Sequence, residues 1–99
     1  MTIRHIVLLQ FKQDTPAVAI DSCMAAFAEL PGKIDGITSF EHGANVSPEG
    51  LSKGYTQLAI VTFSSAAMRD TYLDHPAHLD FVAKLKSLIA DVLVFDFEI

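Results

Sequence analysis

The chain has 99 residues, 51% of them apolar, with a formal net charge of −5 at pH 7 and a mean hydropathy of +0.35. Such a length supports one hydrophobic core, so residues 1–99 read as a single domain. Lysines are scattered at Lys12, Lys33, Lys53, Lys84 and Lys86, which leaves no basic stripe for nucleic acid, and no apolar run approaches the ~20 residues of a membrane span.

Residues 2–11 alternate as a strand does, with Ile3, His5, Val7, Leu9 and Phe11 on one face and Arg4, Ile6, Leu8 and Gln10 on the other. The stretch MTIRHIVLLQF is broken by Gln10 and has no small-residue cleavage site, so it reads as a strand and not as a signal peptide. Asp14 or Thr15 is placed to cap a helix with Pro16 in its first turn, where the missing N–H does no harm. Ile20, Cys23, Met24, Phe27 and Leu30 form its apolar stripe, and Pro31 and Gly32 stop it. Strands are predicted near 37–45 and 54–63, flanking NVSPEGLSKG. That connection exceeds the ~2–5 residues of an ordinary hairpin and is a candidate lid.

Ser64 or Ser65 can cap a short helix carrying Met68 and Tyr72 on one side. Pro76 ends it and starts another, with His75 near the cap, and the new helix buries Phe81, Val82, Leu85 and Leu88 or Ile89. VLVFDFEI, residues 92–99, is the last strand. The order β-α-β-β-α-β predicts an α+β, ferredoxin-like protomer: a four-stranded antiparallel sheet with helices on one face. The lone Cys23 cannot form an internal disulfide and reads as a small buried hydrophobe, with a reducing cytoplasm as the simplest home.

An antiparallel sheet ordinarily keeps one face wet. Here Val7, Leu9, Ala59, Val61, Val92 and Val94 fit the helix side, while Ile6, Leu8, Phe40, Leu58, Ile60, Leu93, Phe95 and Phe97 fall on the other, with no helix left to cover them. At ~1.5–3 kcal/mol per large apolar side chain, leaving these in water forgoes roughly 10–20 kcal/mol. Even discounted for a compact unfolded state, that rivals the ~5–15 kcal/mol stability of a typical domain. The predicted remedy is a second copy of the chain, sheet against sheet across a twofold axis.

The segment YLDHPAH, residues 72–78, concentrates the polar chemistry. With a helix starting near Pro76, His78 shares a stripe with Phe81, Val82 and Leu85 and points toward the sheet; Tyr72, four residues after Met68, points the same way from the preceding helix. The strands beneath add His5, Gln57 and Asp96 among apolar neighbours, the composition of a small-molecule pocket. A metal is disfavoured because Pro76 aims His75 away from His78, and no recurrent spacing supplies a third ligand from His5, His42 or Asp96. No phosphate-cradling glycine loop and no nucleophile elbow is present, and Cys23 has no positive neighbour to activate it, so neither a cofactor nor covalent hydrolysis is expected.

Proton transfer fits better. A histidine in a first helical turn, in an apolar pocket, stays neutral at pH 7 and can accept a proton, while Tyr72 can donate to a developing enolate or phenolate oxygen. The structural alternatives are that Tyr72 anchors to backbone, that His78 bridges two helices, and that His5 only bonds to Asp96 across neighbouring strands. An open space between Tyr72, His78, His5 and Gln57 favours ligand binding, and a filled one favours a purely structural dimer.

HIVLLQFK, LPGKIDGITSFEHGANVSPEG, GYTQLAIVTF, YLDHPAHLDFV and VLVFDFE together resemble the stress-responsive dimeric α+β barrel (Dabb) domain over nearly the whole chain. The resemblance implies a ferredoxin-like protomer and a homodimer whose sheets form a central barrel. One member of that family closes a polyketide ring by a cofactor-free aldol reaction, with a tyrosine and a histidine that match Tyr72 and His78. His5 also matches a pocket residue, whereas Gln57 replaces a histidine and Phe27 a tyrosine. The resemblance thus implies Tyr72 and His78 as catalytic residues. The helix-facing side of the sheet and the helices above it are expected to supply a substrate-binding wall of His5, Val7, Leu9, Phe27, Gln57, Ala59, Phe81, Val94 and Asp96.

Overall fold

The computed structural model describes residues 1–99. The chain runs through β1 (Ile3–Phe11), α1 (Ala17–Ala28), a 3₁₀ turn (Leu30–Gly32), β2 (Ile37–Ala44), β3 (Gln57–Phe63), α2 (Ala66–Asp74), α3 (Pro76–Lys86) and β4 (Ile89–Glu98). The strands form one antiparallel sheet in the order β2-β3-β1-β4, with the helices on one face, which is the ferredoxin-like arrangement expected.

Helix starts follow local chemistry. Ser65 Oγ accepts the Met68 N–H at 3.2 Å and so caps α2. His75 caps α3 in the same way, its Nδ1 accepting the Ala77 N–H at 3.0 Å, with Pro76 at the first helical position. At α1 the expected side-chain cap is absent and Pro16 itself holds the capping position. Thr15 Oγ1 is spent on the Lys12 carbonyl at 2.6 Å, and Asp14 turns the chain with φ +68°.

Leu9, Ala59, Val61 and Phe63 are sealed between the sheet and the helices, which contribute Cys23, Met24, Phe27, Tyr72, Phe81 and Leu85. Strand parity is as read for β1, β3 and β4, with Ile6 opposite both Ile60 and Phe95, and Leu8 opposite both Leu58 and Leu93. Phe40 is a correction. It pairs with Val61 and packs on Phe27 at 5.2 Å between ring centroids, so it faces the helices. The cause is a register shift between Ile37 and Ser39: one extra residue, Thr38, lets both Ile37 and Phe40 reach the core.

The remaining back-face residues form a continuous apolar surface that no element of the protomer covers; Phe95 is 60% exposed and Leu93 and Phe97 each 41%. The connection between β2 and β3 lies against one end of this same face. Tyr55 Oη donates to Asp91 Oδ2 of β4 at 2.6 Å, and Leu8, Val46 and Leu58 line the hollow beneath it. As a lid it is therefore on the wrong side of the sheet from YLDHPAH. No helix is long and apolar enough to cross a membrane.

Candidate functional site

α2 and α3 meet at His75 and Pro76, and the bend turns Tyr72 and His78 toward each other, their rings 4.2 Å apart. Beneath them, against β1 and β4, lies a cavity of about 240 Å³. His5, Val7, Phe27, Phe81 and Val94 line it as expected, joined by Leu73, Val82, Leu85, Lys86, Ile89 and Val92. Val92 and Val94 lie on the helix side but remain exposed, because the helices stop short of the β4 edge. A cavity of ~150 Å³ accommodates benzene, so this one has room for a substituted ring.

His78 Nδ1 lies 3.1 Å from the Leu73 carbonyl. A carbonyl can only accept, so Nδ1 carries the hydrogen and Nε2 keeps its lone pair. Burial pushes the imidazole below its ordinary value of 6.5, the Leu73 hydrogen bond opposes that, and positive charge on His5 or His75 would add to the depression. Tyr72 is almost wholly buried, and burial raises its phenol well above the ordinary range, so the hydroxyl keeps its proton. That hydroxyl has no hydrogen-bond partner within the chain, yet it is not sealed from solvent, which leaves it free to donate into the cavity. A neutral base and a protonated phenol thus adjoin in an apolar space.

His5 is fixed from below. Its Nδ1 donates to Asp96 Oδ1 at 2.6 Å across the β1–β4 pair, and the rings of Tyr72 and Phe63 lie edge-on to it at 5.9 and 6.2 Å. Asp96 itself does not border the cavity; it holds His5 and accepts from Arg69 Nη1 at 2.7 Å. Three other expected wall residues also lie elsewhere. Leu9 and Ala59 are closed off in the core, and Gln57, at the far end of β3, borders hollows beside the β2–β3 connection. The space between Tyr72, His78 and His5 is open, without Gln57.

Arg69 escaped the sequence reading, although it stands three residues before Tyr72 and so shares its helix face. Leu73 also went unread; it contributes a carbonyl rather than a side chain. His75 spends its Nδ1 on the α3 cap, and no group of three or more His, Cys, Asp or Glu side chains is placed to hold a metal ion.

The stress responsive A/B barrel domain, Dabb, matches residues 3–99. The chain belongs to the Dabb family. The stress-response A/B barrel domain-containing protein HS1 of Arabidopsis thaliana is 31% identical over 96 residues, covering 97% of this chain and 88% of that protein. Olivetolic acid cyclase of Cannabis sativa is 27% identical over 97 residues, covering 98% of this chain and 96% of the cyclase. Among solved structures, a dimeric ferredoxin-like protein of unknown function from Jannaschia sp. CCS1 aligns over 100% of both chains with a TM-score of 0.83 and 30% identity. The Dabb resemblance carried by HPAH and the terminal FDF strand therefore holds, and with it the ferredoxin-like fold.

Proposed function

We propose that this Dabb protein works as a homodimer, joined through the back of the sheet, that binds a ring-sized apolar molecule in the Tyr72–His78 cavity of each protomer. The observation that carries the binding reading is the pairing in that cavity of an unpartnered phenol with an imidazole held in the Nδ1–H form. The dimer is supported by the uncovered row Ile6, Leu8, Leu58, Ile60, Leu93, Phe95 and Phe97, and by relatives described as dimeric. The chemistry that suits such a pair is proton abstraction next to a carbonyl: His78 Nε2 takes the proton, and Tyr72 donates a hydrogen bond to the enolate oxygen as charge develops there. Neither step needs a cofactor. The relationship to olivetolic acid cyclase supports a cofactor-independent cyclase or isomerase acting on a phenolic or polyketide-like compound.

Two measurements test this. Thermal shift with a panel of phenols and β-keto acids should single out ring-sized compounds; a cavity that stabilises with none of them counts against ligand binding. NMR in D₂O should then show deuterium entering the position between the carbonyls of a bound β-keto acid. Exchange at the wild-type rate in His78→Ala would remove His78 as the base.

A further inference from the structure

Asp96 stands directly opposite His5 on the neighbouring strand, and its two oxygens are divided between two partners. Oδ1 accepts from His5 Nδ1 at 2.6 Å, and Oδ2 accepts from Arg69 Nη1 at 2.7 Å. Arg69 reaches down from α2 and is braced on its other side by Asp70, Nε to Oδ1 at 2.8 Å. The His5 side chain is nearly buried, whereas Asp96 and Arg69 are each about a quarter exposed. The acid–base pair proposed above uses none of these contacts.

A carboxylate beside an imidazole does two things. It fixes the tautomer, since it can accept a hydrogen only from Nδ1, and it attracts a second proton onto the ring. The second effect would convert Nε2 from acceptor to donor. A guanidinium on the other carboxylate oxygen opposes it by balancing the charge, and it also stops the carboxyl from rotating away.

We propose that Arg69 is a positioning residue: by anchoring Asp96 and balancing its charge, it makes His5 present an unprotonated Nε2 to the cavity as a second hydrogen-bond acceptor. With His78 Nε2 the cavity then offers two acceptors, with the Tyr72 hydroxyl as a donor beside them and Lys86 at the border. That inventory selects a ring bearing hydroxyl hydrogens over a plain hydrocarbon. The choice of ligand rests on the cavity being a binding site; the state of His5 does not.

The test is long-range ¹H–¹⁵N NMR of histidine-labelled protein at pH 7, which distinguishes protonated from unprotonated ring nitrogens without any ligand. In the wild type, His5 should show a protonated Nδ1 and an unprotonated Nε2. In Arg69→Met the Nε2 signal should move toward the protonated position, Arg69→Lys should restore part of the shift, and Asp96→Asn should abolish the dependence on Arg69. A wild-type Nε2 already protonated overturns the proposal. So does an unchanged His5 spectrum in Arg69→Met, which would mean that Asp96 sets the state of His5 without Arg69. Phenol and toluene, as isosteric probes, read the ligand clause separately. Phenol should bind the wild type more tightly than toluene does, by about fivefold for one hydrogen bond gained, and that margin should shrink in Arg69→Met. Equal binding of the two overturns the ligand clause, and binding of neither counts against the cavity as a ligand site; both leave the NMR result standing.

Discussion

Phe95→Asp is the most direct perturbation of the back face. Phe95 is 60% exposed in the protomer, so most of its side chain is free to contribute to an interface. Full burial of such a side chain stabilises by ~1.5–3 kcal/mol, so the exposed part contributes about 1–2 kcal/mol to an interface. A twofold axis counts it twice, giving about 2–4 kcal/mol. At ~1.4 kcal/mol per tenfold, lost apolar contact alone weakens the dimer by about 30- to 700-fold, and two carboxylates facing an apolar surface add to this. Sedimentation velocity over a dilution series should show dimer in the wild type and protomer in the variant, with unchanged far-ultraviolet circular dichroism. Val18→Asp, on the outer side of α1, where Val18 is 75% exposed, should leave the dimer intact. A Phe95→Asp dissociation constant within threefold of the wild type would refute the argument that this row is buried by a second copy.

Tyr72→Phe should leave stability nearly unchanged, because the hydroxyl has no partner in the chain. The thermal midpoint should move by less than the ~4–8 °C that 1 kcal/mol represents in a domain of this size, while phenol affinity falls. A larger drop in midpoint would reveal an internal role for the hydroxyl. His78 sets a pH dependence whose sign follows from its lowered folded value. Its contribution to stability is complete above the ordinary 6.5 and is lost as pH falls through the lower folded value, and proton abstraction declines over the same window. Urea titrations from pH 7 down to pH 4 should show that component disappear in His78→Gln; a loss centred above 6.5 contradicts the assignment. Gly36→Ala should cost about 1–3 kcal/mol, since Gly36 has φ +95° and a Cβ there would meet Met68 Cβ at 2.7 Å. Chemical denaturation showing no loss would mean that both the turn and Met68 yield freely.

Where alternation runs unbroken, the sequence discloses the fold directly. Ile6, Leu8, Leu93 and Phe95 could be assigned to one face because β1 and β4 keep strict parity over that stretch. Phe40 could not, because the bulge at Thr38 depends on how β2 meets β3, and local sequence does not encode that pairing. His75 and Pro76 announced the break between α2 and α3, and that break is what turns Tyr72 toward His78. The wall of the cavity was harder to read. Leu9 and Ala59 have the right parity, but helix placement decides which part of a shared face is roofed and which is sealed. Arg69 finds its carboxylate 27 positions away on the sheet edge, a contact fixed by tertiary geometry rather than by spacing along the helix.

β4 serves two masters on its two sides. Its odd positions Leu93, Phe95 and Phe97 belong to the outer surface, while its even positions Val92, Val94 and Asp96 belong to the chamber and its supports. Point changes can therefore alter the outer surface and the chamber independently, since neighbouring side chains never share a side. A slip of the strand is different: one residue of slip against β1 would exchange the two sets wholesale. Tolerance of substitution alongside intolerance of insertion or deletion is the expected mutational profile of this last strand.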